Sequence, residues 1–191
     1  MLEEHHLVHK LDGFVIRKVC AELRGRLDAG KEIVPVSLNL SRLDFELTDV
    51  VRLIEDAVSE YGIPKGMLTF ELTESLVAVD MEAMSREAER LREHGFKVWM
   101  DAFGAGYSSL KVLKDFALDG LKIDMEMIRS VNDERALVIV TSVIGMARKL
   151  GIPALSKGVE TREQLEFLKK AGCDLAQGYL FGRPAPAGSM K

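Results

Sequence analysis

The chain has 191 residues, of which 47% are hydrophobic and 29% charged, and its formal net charge is -4. This composition is globular, and the evenly mixed 26 basic and 30 acidic residues exclude the polybasic surface typical of DNA-binding or lipid-binding proteins. No long apolar run predicts a membrane span, and the first residues do not resemble a Sec-type signal peptide. Cys20 and Cys173 lie far apart, which favours a reduced chain, so we expect a cytoplasmic protein with a single domain over residues 1–191.

Hydrophobic periodicity predicts helices that alternate with short apolar strands from one end of the chain to the other. In chain order, the first half is predicted to contain a helix at 7–28, a strand at 33–39, a helix at 48–60 with Thr48 as its N-cap, a strand at 67–71 and a helix at 81–94. The second half is predicted to contain a strand at 96–101, a short helix from Ser108, a strand at 120–124, a helix at 134–149, a strand at 153–156, a helix from the capping box of Thr161 and Gln164 to about 171, and a strand at 175–177.

This alternation predicts a parallel sheet covered by helices, because its strands are mostly apolar. A doubly wound sheet and a (β/α) barrel both fit the order of elements. A barrel needs eight strands and typically about 250 residues, so this chain would be short by roughly two strands. Since the first predicted element is a helix, the missing strands would lie at the front.

A polar side chain stands at the carboxyl end of every predicted strand. These residues are Asn39, Glu71, Asp101, Lys122, Lys157 and Gln177. In a parallel barrel all these ends point to one face, where active sites form. Carboxylate and amide oxygens suit Mg²⁺, Mn²⁺ or Ca²⁺ rather than zinc. For any one position the alternative is a side chain that only caps a loop, but six positions together favour a functional site.

Three further features are weaker candidates. The Gly-x-Gly within residues 101–109 could hold a phosphate at a helix N-terminus, although a tight turn explains it equally well. His5 and His9 are spaced as a metal pair but have no third ligand nearby in sequence. Cys173 is expected to pack rather than react, because no histidine is placed to activate it.

Six separate motifs occur in an order and spacing that resemble the EAL domain family of cyclic di-GMP phosphodiesterases. The resemblance runs from about Leu7 to Pro186 and rests on Asn39-Leu40-Ser41, Phe70-Glu71-Leu72-Thr73-Glu74-Ser75, Asp101-Ala102-Phe103-Gly104-Ala105-Gly106-Tyr107-Ser108-Ser109-Leu110, Leu121-Lys122-Ile123-Asp124, Gly158-Val159-Glu160-Thr161 and Gln177-Gly178-Tyr179.

The resemblance implies a TIM-like barrel in which two divalent metals, Mg²⁺ or Mn²⁺, activate the water that opens cyclic di-GMP to linear pGpG. It also implies a role for each matching position. Asn39, Glu71 and Asp101 match metal ligands, Lys122 matches the lysine that orients the water or stabilises charge, Gln177 matches a polar group near the substrate, and Glu74 matches the residue that holds the loop after Asp101. Domains of this family often form homodimers near the helix that corresponds to residues 108–116.

The sequence departs from the family at three places. The opening strand with its Glu-Ala-Leu motif is absent, so we expect an incomplete TIM-like (β/α) barrel of the EAL type, lacking its opening strand or strands. Ala102 replaces the second of two adjacent aspartates, and Lys157 replaces a glutamate. These changes remove three carboxylates and add one ammonium, so we expect no two-metal centre. Lys157 either pairs with Glu71 and Asp101 or extends into solvent.

These departures predict a degenerate EAL domain that is catalytically inactive and acts as a signalling or protein-interaction module. Two alternatives stay open: a phosphodiesterase with a weakened metal site, and a non-catalytic cyclic di-GMP sensor. The preferred hypothesis predicts absent or weak metal binding, weakened cyclic di-GMP binding, a protein partner or attached signalling domain, and a homodimer.

Overall fold

The computed structural model describes residues 7–105, 109–129 and 133–187, which divide into two compact units. The first unit is the chain up to Leu72 together with Leu76–Val98. The second unit is Thr73–Ser75 together with the chain from Trp99 onward. That the chain forms a single domain stays a prediction.

The described residues of the first unit form five α-helices and two parallel strands. Its elements are α1 (Val8–Asp28), β1 (Val36–Asn39), α2 (Arg42–Leu47), α3 (Val50–Tyr61), a 3-10 turn (Lys65–Met67), β2 (Leu68–Thr73), α4 (Glu74–Val79) and α5 (Met81–Glu93), with β2 and α4 crossing its boundary. β1 runs parallel to β2, in a register that pairs Asn39 with Glu71.

The core of this unit forms around β2, whose apolar residues Leu68, Phe70 and Leu72 alternate with the buried polar residues Thr69 and Glu71. Leu68, Phe70 and Leu72 are fully buried. The ring of Phe70 meets that of Phe96 edge to face, with centroids 5.5 Å apart. Burial of such side chains stabilises the fold by about 1.5–3 kcal/mol each, which fixes β2 and the carboxyl end that carries Glu71.

The second unit holds the remaining strands, which are also parallel. Its elements are the end of β3 (Lys97–Phe103), α6 (Ser109–Asp115), β4 (Gly120–Ile123), α7 (Glu126–Arg129), α8 (Glu134–Lys149), β5 (Ala154–Ser156), α9 (Arg162–Ala171) and β6 (Leu175–Ala176). The sheet order of the six strands is β1-β2-β3-β4-β5-β6. β3 carries a bulge between Met100 and Phe103, where its register against β4 shifts.

The six-stranded parallel α/β architecture predicted from the sequence is confirmed, with corrections to several boundaries. Thr48 is not the N-cap of α3, because Asp49 accepts the N–H of Arg52 at 3.3 Å. The Thr48 hydroxyl instead donates to the carbonyl of Asp44 at 2.7 Å, at the end of α2. β1 begins three residues later than predicted, and β3 continues through its bulge to Phe103.

Three short helices were not predicted: α2, α4 and α7. Each has six residues or fewer, too few to show a helical period in the sequence. Ser108, the predicted start of α6, and His5 both lie outside the described residues. No helix in the described part of the chain is long and apolar enough to cross a membrane.

Candidate site at the carboxyl ends of the strands

In the first unit, Asn39 and Glu71 lie side by side because they are register partners on neighbouring parallel strands. Asn39 is exposed at the end of β1, whereas Glu71 is only 3% exposed. The main chain joins the two strand ends, since the N–H of Leu40 donates to the carbonyl of Glu71 at 3.0 Å. The structure therefore brings together one amide and one carboxylate of the predicted ligand set.

In the second unit, Lys122 and Gln177 occupy very different surroundings. Lys122 lies within β4 and is 7% exposed. Gln177 follows β6 and is exposed, and its N–H donates to the carbonyl of Ser156 at 2.9 Å. Its carbonyl accepts the N–H of Val159 at 3.0 Å, so the chain after β6 is fastened to the loop after β5.

The most informative contact of the site joins Lys157 to Asp101. Nζ of Lys157 lies 2.7 Å from Oδ1 of Asp101, and both side chains are largely buried. Oδ1 is inaccessible to solvent and has no hydrogen-bond partner in the described part of the chain. The contact is therefore an ion pair whose angle falls outside hydrogen-bond geometry, and the ammonium supplies the charge that a buried carboxylate needs. The prediction that Lys157 lies within salt-bridge reach of Glu71 or Asp101 is confirmed for Asp101.

Ala102 lies in the bulge of β3 and has a left-handed backbone, with φ of 54°. This conformation is uncommon for alanine, whereas aspartate and asparagine adopt it several times more often than other residues with a side chain. Its methyl group offers no ligand atom beside Asp101. The backbone thus keeps a shape that suits an acidic residue, while the side chain lacks the carboxylate.

Glu74 contacts the loop that follows Asp101. It is 3% exposed, and its Oε2 accepts the N–H of Gly104 at 3.2 Å. Gly104 itself has φ of 93°, which is open to glycine and strained for other residues. A buried carboxylate that accepts a main-chain N–H can hold such a turn in place.

Asp101 and Ala102 offer a pair of divalent metals fewer free oxygens than the resemblance implies. Asp101, one of the three positions that the resemblance assigns to metal ligands, is already paired with an ammonium, and Ala102, where the resemblance implies a second aspartate, contributes no oxygen. Within residues 7–105, 109–129 and 133–187, no group of three or more histidine, cysteine, aspartate or glutamate side chains could hold a metal ion. Hard dications depend on several anionic oxygens, which this arrangement does not offer them.

The cysteines are placed for packing. Burial is the main cause that raises the pKa of the Cys173 thiol, and Sγ lies 3.4 Å from the carbonyl of Ala154 and 3.3 Å from that of Leu175. Burial also raises the pKa of Cys20. A raised pKa disfavours the reactive thiolate, so neither thiol is placed as a nucleophile.

Two methionines that contact the site loops could not be predicted from the sequence. A Cβ added at Gly104 would overlap the side chain of Met127, and one added at Gly158 would overlap that of Met125. Both methionines lie just after β4, in or beside α7. Such contacts come from tertiary packing, which no local pattern reveals.

Comparison with known proteins agrees with this fold and these motifs. The EAL domain family model matches residues 1–184, so the chain belongs to the EAL domain family. A curated relative, the cyclic di-GMP phosphodiesterase NbdA of Pseudomonas aeruginosa, is 34% identical over the whole chain. The chain spans only 24% of that relative's length.

Solved structures of this family share the architecture. The structure described as PaMucR phosphodiesterase in complex with c-di-GMP has a TM-score of 0.91 and 34% identity, covering 98% of this chain and 76% of that one. A manganese and cyclic di-GMP complex of BlrP1 from Klebsiella pneumoniae has a TM-score of 0.84 and 31% identity, covering 93% and 45%. The fold is therefore a TIM-like EAL barrel, incomplete in this chain.

Proposed function

We propose that this chain is a degenerate EAL domain of bacterial cyclic di-GMP signalling that does not hydrolyse the dinucleotide and acts through protein contacts. The observation that carries this proposal is the ion pair between Lys157 and Asp101. An ammonium held 2.7 Å from the carboxylate already neutralises the charge that a dication would otherwise meet. A metal would have to displace that ammonium and find further anionic ligands.

Ala102 strengthens the argument because it removes a possible bridging ligand without disturbing the backbone. Two cations about 4 Å apart must be neutralised and bridged by several carboxylates. The left-handed backbone at position 102 would place an aspartate beside Asp101 with little strain. We therefore expect that Lys157 and Ala102 both weaken metal binding, and that reversing both changes gives measurable affinity for Mn²⁺.

The other residues take the roles that the family resemblance implies. Asn39 and Glu71 are the remaining ligand positions, Lys122 and Gln177 are the groups that would face water and substrate, and Glu74 holds the loop after Asp101. Mg²⁺ or Mn²⁺ binds weakly or not at all, and cyclic di-GMP binding is weakened. The partners are another signalling domain or a protein, together with a second copy of this chain, in the cytoplasm.

The direct test is hydrolysis of cyclic di-GMP by the purified chain with Mg²⁺ or Mn²⁺, followed by chromatography of pGpG. We expect no product above the rate without protein. Clear production of pGpG that Glu71→Gln abolishes would contradict the proposal and favour a phosphodiesterase with a weakened site.

A second experiment reverses the two side-chain changes and measures whether metal binding returns. Lys157→Glu combined with Ala102→Asp should bind Mn²⁺ measurably by calorimetry, while the parent chain does not. The control is Lys170→Glu with Ala102→Asp, which makes the same charge change at an exposed lysine of α9. Equal Mn²⁺ binding by the parent and the first double variant would show that Lys157 does not exclude the metal.

A second candidate function is a sensor that binds cyclic di-GMP without cleaving it. It is favoured by the similarity to a structure described as a c-di-GMP complex at 34% identity. Calorimetry with cyclic di-GMP in the presence of a chelator separates the two hypotheses. Saturable binding without metal supports the sensor, and its absence supports a module that acts through protein contacts alone.

A further inference from the structure

One short segment contacts both the loop that follows Asp101 and the loop that contains Lys157. This segment, Asp124–Arg129, leaves the end of β4 and includes α7, and we call it the α7 segment. Asp101 lies in β3 and Lys157 directly follows β5, so their separation depends on what holds the loops after β3 and β5. The contacts of the α7 segment show that it touches the two loops at once.

The loop after Asp101 is held by a hydrogen bond and a close packing contact. The N–H of Asp124 donates to the carbonyl of Phe103 at 3.2 Å. Met127 occupies the space where a side chain at Gly104 would otherwise lie. The loop therefore follows the α7 segment closely, because Gly104 leaves no gap between them.

The loop after Lys157 is held in the same way. The N–H of Lys157 donates to the carbonyl of Ile123 at 3.1 Å, at the end of β4. The side chain of Met125 fills the space beside Gly158, whose φ is 73°. A substitution at Gly158 would thus meet both backbone strain and a packed neighbour.

Gln164 fastens the α7 segment to this second loop. Its side chain is 7% exposed, and its Nε2 donates to the carbonyl of Ile128 at 3.2 Å. Its Oε1 accepts the N–H groups of Glu160 at 2.7 Å and of Thr161 at 3.0 Å. One amide group therefore both caps α9 and ties the chain after Lys157 to α7.

We propose that Gln164 is a positioning residue for the Asp101–Lys157 ion pair, acting through the α7 segment. Its amide NH₂ fixes α7 against the loop of Lys157, and Met127 and Asp124 fix the loop of Asp101 against the same segment. Loss of the Gln164–Ile128 bond frees one loop relative to the other, so the ion pair opens more often. This inference holds whether or not the chain hydrolyses cyclic di-GMP, because it concerns the geometry of the pair.

The test measures how readily the Lys157 amine reacts with a small acylating reagent, using the full chain and mass spectrometry of its peptides. Gln164→Glu is the decisive variant, because an ionised carboxylate still accepts from Glu160 and Thr161 but cannot donate to Ile128. A hydrogen bond worth about 1 kcal/mol corresponds to about a fivefold change in an equilibrium. We therefore expect Lys157 acylation to rise about fivefold relative to exposed Lys170.

Thr161→Ala is the matched control. It removes the hydroxyl that accepts the N–H of Gln164 at 3.2 Å and so weakens the same helix cap, but it leaves the amide bond to Ile128 in place. Lys157 in this variant should react as in the parent. If Thr161→Ala raises acylation as much as Gln164→Glu does, the effect belongs to helix stability and the proposal is wrong.

Two further outcomes decide the remaining cases. Unchanged Lys157 reactivity in a Gln164→Glu chain with native circular dichroism overturns the proposal. If that variant does not fold, Met127→Ala replaces it, and the same rise in Lys157 reactivity is expected because the Asp101 loop loses its packed neighbour. Neither readout involves cyclic di-GMP or a metal, so failure here leaves the proposed function untouched.

Discussion

Two neighbouring carboxyl groups, a half-buried one on α1 and a buried one on α2, give this fold a pH dependence of its own. Asp44 is 1% exposed, and its Oδ2 accepts from the N–H of Ser41 at 2.6 Å and from the Ser41 hydroxyl at 2.9 Å, which caps α2. Asp12 of α1 hydrogen-bonds Asp44. Burial, then the charge and hydrogen bond of Asp44, raise the pKa of Asp12 from 3.8 to about 6.

The sign of the stability effect follows from this raised pKa. The folded chain holds a proton on Asp12 that the unfolded chain releases near pH 3.8, so the stabilisation is full below that pH and is lost as pH rises through about 6. We expect Asp12→Asn, which hydrogen-bonds without charge, to stabilise the chain at pH 7.5 by about 1 kcal/mol after solvent screening. Urea unfolding at pH 4, 5, 6 and 7.5 measures the free energy of unfolding.

Asp56→Asn on α3 is the control, since Asp56 is exposed. The control should leave the slope of stability against pH unchanged between pH 4 and 6, while Asp12→Asn should flatten it. Identical pH slopes for Asp12→Asn and the parent would show that the two carboxyl groups do not share a proton.

At the scale of elements, the sequence predicts what local patterns determine and misses what tertiary packing determines. The strands that carry Asn39, Glu71 and Asp101 could be predicted, because runs rich in apolar β-branched and aromatic residues mark buried parallel strands, although β2 and β3 each extend two residues beyond their predicted ends. The capping box of Thr161 and Gln164 was also readable and is present. The second role of Gln164, its hydrogen bond to the carbonyl of Ile128, could not be predicted from the sequence, because the two residues are far apart in the chain.

The candidate site shows the same division. The charge change at position 157 could be read directly, and the reach of Lys157 toward a strand-end carboxylate followed from the common direction of parallel strands. The left-handed backbone at Ala102 and the bulge around it could not be read, since alanine carries no signal for that conformation. The six-residue α2 was missed although Ser41 and Asp44 form its capping box.

The link between the end of β6 and the loop after β5 gives a prediction for a single glycine. A Cβ at Gly178 would overlap the backbone of Val159, which has no flexible side-chain end to move aside. We expect Gly178→Ala to lower the thermal midpoint strongly or to prevent folding, because the Val159–Gln177 and Leu180–Val159 hydrogen bonds cannot form around it.

Gly182→Ala tests whether this effect is specific, because a Cβ there meets nothing within 4 Å. That variant should unfold within a few degrees of the parent in differential scanning fluorimetry. Comparable thermal midpoints for the two alanine variants would mean that the chain after β6 is not packed against Val159 as described.

At the scale of the whole molecule, the two outer strands of the sheet leave pairing groups available. Among the described residues, β1 and β6 each have one neighbouring strand. The chain around β6 also exposes large apolar side chains: Leu175 is 48%, Tyr179 55% and Phe181 58% exposed. Unpaired strand edges beside apolar side chains invite association with another chain.

We therefore expect this chain to self-associate. Light scattering at tens to hundreds of micromolar should give a mass above that of a monomer, and Tyr179→Ser with Phe181→Ser should shift it toward the monomer. Leu110→Ser tests the additional interface that the family resemblance suggests near residues 108–116, because Leu110 is 66% exposed on α6. Val79→Ser, at an equally exposed residue of α4, is the control and should leave the mass unchanged.

Leaving such an apolar surface in water is unfavourable, and association removes that free-energy cost. Each large apolar side chain that moves from water into an interface contributes up to about 1.5–3 kcal/mol, so the Tyr179 and Phe181 pair could supply several kcal/mol toward association. The Arg183 guanidinium lies 4.9 Å from the centre of the Tyr179 ring and covers part of that surface in the single chain. A strictly monomeric mass at high micromolar concentration would mean that the Arg183 guanidinium, together with water at the strand edge, shields this surface well enough to prevent association. Arg183→Ser should then expose the ring and produce the dimer that the parent lacks.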